Sequence, residues 1–152
     1  MTVASIVAGK VAALRASGNE EVRTVKPDVT VAEAIRRMRD EVVGALVVSE
    51  DGTSILGIIS DRGIVDALAD HGVDVLKDQV RSVMTEGVLT CSADDRVGAI
   101  MAAMVARRIR HIPVVDEEGR LRGLVSMSDV VKYQLLEIQK EADAMREYIS
   151  GR

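Results

Sequence analysis

The sequence predicts a mixed α/β (α+β) fold, built as two tandem β-α-β-β-α repeats packed with pseudo-two-fold symmetry. Residues 22–69 lie over residues 88–135 at a constant offset of 66 without a gap. Thr24 falls on Thr90, Asp28 on Asp94, Val31 on Val97, Met38 on Met104, Gly57 on Gly123, Ser60 on Ser126 and Val65 on Val131. Apolar character agrees between these identities, as at Ile35 and Met101, Val43 and Ile109, Leu46 and Ile112, Val48 and Val114, and Ile64 and Val130. A unit this short buries too little apolar surface alone, so two of them are expected to complete one another sheet to sheet.

Each copy gives the same elements in order. A short extended piece at 22–25 or 88–91 carries Thr24 or Thr90. Pro27-Asp28 and Ala93-Asp94-Asp95 then offer turn and helix-start chemistry, since Asp accepts from the free N–H groups of a first turn. A helix follows, with Val31, Ala34, Ile35 and Met38 on one face, matched by Val97, Ile100, Met101, Met104 and Val105. An apolar strand at 45–48 or 112–115 runs into a polar turn at 49–53 or 116–119. A second strand at 55–59 or 121–125 leads to a helix beginning after Ser60 or Ser126. Pro113 lacks a backbone donor and is expected at a strand start or edge. Residues 70–84 form the crossover, with room for a short helix at 73–83.

The domain limits follow: 1–19 an N-terminal helix, 20–79 the first repeat, 80–140 the second, and 141–152 a C-terminal helix extension. Val3, Ile6, Val7, Val11 and Leu14 lie near one helix face, and Ser17-Gly18-Asn19 ends it. Val131, Leu135, Ile138, Ala142, Met145 and Ile149 recur at spacings of four and three beyond the repeat. That stripe either packs on residues 3–14 or forms a contact with another subunit or a partner.

Composition removes several function classes. The hydrophobic fraction is 47%, but the chain has two Tyr and neither Phe nor Trp, so its core is aliphatic. A net charge of -4, with Arg107, Arg108 and Arg110 as the densest basic run, points away from nucleic acid. The single Cys91 and two His exclude an intrachain disulfide framework and give no metal-ligand spacing. No signal segment and no apolar run of membrane-spanning length is seen, so a cytoplasmic setting away from membranes is expected. No residue is expected to be catalytic, and no catalytic cofactor is called for.

The strand-to-helix joins at 57–63 and 123–129 carry the binding chemistry. Gly123 permits close approach, Ser126 offers a donor and an acceptor, and the helix start favours negative charge. Asp129, three residues on, offers two carboxylate oxygens to a pair of vicinal hydroxyls such as a ribose presents. Ser126 and Asp129 also fit an ordinary helix cap, and the spacing alone leaves both readings open. The first copy has Gly63 where the second has Asp129.

The repeated pattern, with Val83-Met84-Thr85, residues 109–116 (Ile-Arg-His-Ile-Pro-Val-Val-Asp) and residues 123–129 (Gly-Leu-Val-Ser-Met-Ser-Asp), resembles the cystathionine-beta-synthase (CBS) domain pair, or Bateman module. That resemblance spans roughly residues 20–136. It implies a regulatory or sensor module binding an adenosine-type nucleotide (AMP, ADP, ATP or S-adenosylmethionine) between the repeats. It also implies a homodimer through module helices, with a possible separate effector protein. By the same resemblance, Asp129 holds the ribose, and Ser126 lies near ribose or phosphate with Ser128 as an extra hydroxyl. Thr24, Val43, Gly44 and Ala45 form the base-contacting edge, and Arg110 and His111 point toward phosphate. His111 is equally open to a structural reading. The second cleft, with Thr90 and Ser60, lacks the carboxylate at Gly63, so one nucleotide site per chain is expected. The competing expectation is a ligand-independent oligomerisation or protein-interaction module.

Overall fold

Buried aliphatic residues sort the chain into two matched cores and a seam between them. The computed structural model describes residues 2–8 and 24–151. A helical segment, α1, covers residues 3–8. The first repeat contains β1 (Thr24–Val25), α2 (Val31–Asp40), β2 (Ala45–Val48), β3 (Gly57–Ser60) and α3 (Asp61–His71). The second contains α4 (Val97–Arg107), β4 (His111–Val115), β5 (Leu121–Ser126) and α5 (Met127–Ser150). Sheet order is β1-β2-β3 in the first repeat and β4-β5 in the second. Only a parallel bridge from Cys91 to Val114 stands where the second copy of β1 was expected.

Strand alternation distributes the side chains. Leu46, Val48 and Ile59 enter the first core with Val31, Ala34 and Met38 of α2. The intervening Val47 and Ile58 face the other way and meet Leu121, packed with Ile55, Val88 and Leu124. This cluster is the expected sheet-to-sheet seam, and Leu121 N–H also donates to the Thr53 carbonyl across it at 2.8 Å. A bulge between Val114 and Val115 adds one residue to β5, turning Leu121 and Leu124 to the same side.

The segments that precede the two repeats are exchanged. Residues 78–81 dock on the first repeat: Val80 N–H donates to Val29 O at 2.8 Å, and Arg81 N–H to Pro27 O at 3.0 Å. Residues 2–4 make the same bonds on the second repeat, Val3 N–H to Asp95 O and Ala4 N–H to Ala93 O, both at 2.8 Å. Val80 and Val3 are each fully buried in the core that receives them.

Three expectations change and one is resolved. Thr30, not Asp28, caps α2, its hydroxyl accepting from Glu33 N–H at 3.2 Å. Asp95 instead holds its own turn by accepting from Ser92 N–H at 2.9 Å, and α4 begins after Arg96 without a side-chain cap. Pro113 meets the edge alternative, lying in the middle of β4 on the open side of a two-stranded sheet. Its carbonyl accepts from Cys91 N–H, so its nitrogen faces the side where pairing is a single bridge and no ladder donor is required. The crossover forms two 3-10 turns, Val73–Lys77 and Val80–Ser82, entered through Gly72 at φ 74°.

The C-terminal stripe does not pack on residues 3–8, the described part of the N-terminal segment. Val3 and Ile6 are occupied in the second core, whereas Leu135, Ile138, Met145 and Ile149 are exposed. Val11, Leu14 and the helix end expected at 17–19 lie outside the described residues. α5 runs without interruption from Met127 to Ser150, across the 140/141 limit.

Candidate functional site

Two equivalent turns bring the repeats face to face. Each leaves its helix through a non-glycine residue in the left-handed region, Val42 at φ 55° and Arg108 at φ 53°. Val43 N–H closes on Met38 O and Ile109 N–H on Met104 O, both at 3.0 Å. The β-branched Val42 costs about 1–3 kcal/mol in that conformation, so surrounding bonds over-determine the turn. Each turn then receives the start of a following helix: Asp61 N–H donates to Gly44 O at 3.0 Å, and Met127 N–H to Arg110 O at 2.8 Å.

Four residues converge at this junction. A Cβ built on Gly44 would stand 3.3 Å from His111 Cε1 and Nε2 and 3.4 Å from Asp61 Oδ2. Gly44 is therefore small because both repeats press on its position. Arg110 Nη2 meets Asp61 Oδ1 at 3.1 Å, an ion pair between repeats with both side chains more than half exposed.

Ser126 and Asp129 sit at the start of α5, with Ser126 directly opposite His111 in the β4–β5 register. Their capping reading is realised in full. Asp129 N–H donates to Ser126 Oγ at 3.1 Å, and Ser126 N–H to Asp129 Oδ2 at 2.8 Å. In the first repeat Gly63 N–H donates to Ser60 Oγ at 3.1 Å, but no carboxylate returns the bond.

The other expected site residues spread around this junction. Val43 packs on the first core, and Ala45 is 1% exposed and paired with Ser60 in β2–β3, so its side chain forms floor rather than lining. Thr24 lies on the outer strand opposite Val47, its carbonyl accepting from Arg37 Nη1 at 2.7 Å. Ser128 is exposed and lines an open groove of about 550 Å³ along α5 with Met127, Val131 and Leu135.

Asp61 is the residue that sequence reasoning passed over, because it stands two residues before Gly63, the position equivalent to Asp129. Its signal was charge at non-equivalent places. Asp61 and Arg110 stand where the other copy has Met127 and Gly44, so their attraction breaks the pseudo-symmetry. Among the described residues, no group of three His, Cys, Asp or Glu side chains could hold a metal ion, and no helix is long and apolar enough to cross a membrane.

A duplicated β-α-β-β-α unit with paired helix-strand turns at a shared seam defines a CBS pair. The chain belongs to the CBS domain family, which matches residues 18–70 and 80–136. It is 34% identical over 112 residues to an uncharacterized 17.7 kDa protein of Acidianus ambivalens, covering 74% of this chain and 66% of that protein. It is also 34% identical over 128 residues to the mitochondrial CBS domain-containing protein CBSX3 of Arabidopsis thaliana, covering 82% and 62%. The chain thus spans about two thirds of the length of these curated relatives.

A crystal structure of a CBS-domain containing protein from Agrobacterium tumefaciens superposes with TM-score 0.78 at 34% identity, covering 88% of this chain and 99% of that one. A fold 24% identical, with TM-score 0.65, covering 76% of this chain and 88% of that one, is CBSX2 in complex with AMP. The chain matches CBS-domain proteins over most of its length. Where it matches an enzyme, inosine-5'-monophosphate dehydrogenase of Methanocaldococcus jannaschii, the match covers only 22% of that protein.

Proposed function

We propose that the chain is a regulatory or sensor module that binds one adenosine-type nucleotide in the cleft between its CBS repeats. The observation that carries this reading is the convergence of Gly44, Arg110 and His111 from both repeats beside the Ser126–Asp129 helix start. A cleft shared by two repeats couples ligand to their relative packing, which a sensor requires. The AMP complex of CBSX2 supports the ligand class by fold likeness.

In this reading Asp129 accepts from the ribose hydroxyls. A carboxylate has about four lone-pair directions, and the capping box fixes the group's orientation through one of its oxygens. Arg110 donates to phosphate once it leaves Asp61, its fork of N–H groups suiting an anion. A flat base reaches the Gly44 backbone when the His111 ring, 3.3 Å from a Cβ built there, moves aside. Paired modules meet through α3 and α5, where the equivalent Val65 and Val131 are both exposed.

The test is calorimetry with AMP, ADP, ATP and S-adenosylmethionine on the wild type and on Asp129→Asn. Asn keeps an acceptor for Ser126 N–H, so the cap survives while the diol loses an anionic partner. Affinity should fall about tenfold or more. Unchanged affinity would remove Asp129 from the site, and no binding by the wild type would remove the ligand class.

One observation favours a second reading, an assembly module without a nucleotide. Ser126 and Asp129 bond to each other, and Arg110 pairs with Asp61. Stable oligomers with no thermal shift across the same panel would establish that alternative.

A further inference from the structure

The last five turns of α5 leave the repeat with an apolar seam that nothing among the described residues covers. Leu135, Ile138, Ala142, Met145 and Ile149 follow spacings of three, four, three and four, the a and d positions of a heptad. Leu135, Ile138, Met145 and Ile149 are 60–68% exposed, on a helix whose body-facing Val130 is fully buried. With Leu135, Ala142 and Ile149 at a, Glu141 occupies g and Arg146 occupies e.

We propose that residues 135–149 of two copies pair as a parallel two-stranded coiled coil. Charge selects both the partner and the direction. In a parallel pair, position g of one helix faces position e of the next heptad on the other, so Glu141 meets Arg146 of a second copy, and does so twice by symmetry. An antiparallel pair centred on residues 138–142 sets Glu141 against another Glu141. Shifting that pair by half a heptad puts Glu141 opposite Tyr148 and leaves no opposite charges matched. Within one chain Arg146 rests on Asp143 at 3.3 Å with 81% of its side chain exposed, so exchanging partners costs little. Two heptads are short for a free-standing coil, and the folded module at their start supplies the nucleation that an isolated helix lacks. The pairing is independent of nucleotide binding.

The seam is tested by disulfide trapping in the full chain. Cys91 is buried, and burial pushes its thiol up to about 11, so it is a poor competitor for oxidation. Ala142→Cys places a thiol at an a position facing its own copy, whereas Asp143→Cys places one on the outer face. Under mild oxidation Ala142→Cys should give at least about tenfold more covalent dimer than Asp143→Cys, because only the a-position Cα atoms approach within bridging distance. Adding Ile138→Glu and Met145→Glu to Ala142→Cys should abolish that excess. Both replaced side chains are already exposed, so the fold is retained, as the far-UV spectrum checks. Equal yields from the two cysteine variants, or an excess that survives the glutamates, would overturn the proposal.

Discussion

Arg110 and Asp61 hold opposite charges 3.1 Å apart where a phosphate is proposed to dock, so their substitutions should act with opposite sign. Removing the guanidinium in Arg110→Ala should weaken phosphate-bearing ligands about tenfold and leave adenosine nearly unaffected. Asp61→Asn releases Arg110 and removes a carboxylate that repels the anion, tightening those ligands about two- to fivefold, as an exposed pair allows. Titrating AMP against adenosine separates the two effects; a loss in both variants would show that the ion pair supports the cleft instead. Gly57 and Gly123 look interchangeable in the repeat, yet their surroundings differ. A Cβ at Gly57 would stand 2.7 Å from the Thr85 carbonyl and 2.9 Å from Met84 Sδ, whereas the nearest atoms to one at Gly123 are on the Val7 and Val114 side chains at 3.6–3.7 Å. Gly57→Ala should cost about 1–3 kcal/mol by overpacking against backbone. Gly123→Ala should stay within about 1 kcal/mol, and chemical denaturation of both distinguishes them.

At the scale of elements, the polar turns are built around single carboxylates. Asp51 accepts from the backbone N–H groups of Ser54 and Thr53 at 2.7 and 2.9 Å and from the Ser54 hydroxyl at 2.9 Å. Those bonds, the Ser54 N–H foremost, hold its carboxyl well below the usual range. A carboxyl lowered in the folded state stabilises fully above its unfolded value of about 3.9, and that stabilisation fades as pH falls toward the folded value. Asp51→Asn should lower stability at neutral pH and flatten the acid side of the curve below about pH 4. An acid limb of unchanged slope would remove Asp51 as its source. Asp116 holds the matching turn through Arg120 N–H and keeps its own share of that limb. The helices and all five described strands were legible because apolar period and the 66-residue offset agreed. Helix caps were less so, since Asp28, Thr30 and Asp95 are all capable caps and only tertiary bonding chooses among them. Of the site, the Ser126–Asp129 helix start could be read from spacing, whereas the Gly44 and Arg110 turns came only from the resemblance of the repeated pattern to a CBS pair. The Asp61 contact could not be read from either, because it joins unlike positions across the two-fold.

For the molecule as a whole, the exchanged segments decide whether the repeats are separable. Val3, Ser5, Ile6 and Val7 correspond to Val80, Ser82, Val83 and Met84, but at an offset of 77 rather than 66. A search at constant offset therefore passes over them, and α1 reads as a helix awaiting some other surface. Their burial shows the actual arrangement: each repeat is finished by the segment that precedes its sibling. Neither core is complete from one repeat's own residues, and the Val47, Ile58 and Leu121 seam joins the two sheets. Val3→Ala and Val80→Ala should then behave alike, each losing about 1–3 kcal/mol from a fully buried side chain. Because the lost contact belongs to one cooperative structure, each variant should shift a single unfolding transition and leave its slope against urea unchanged. Two resolved transitions, with Val3→Ala moving one and Val80→Ala the other, would mean that the repeats unfold independently. A nucleotide bridging them could not then be read out as a change in their packing.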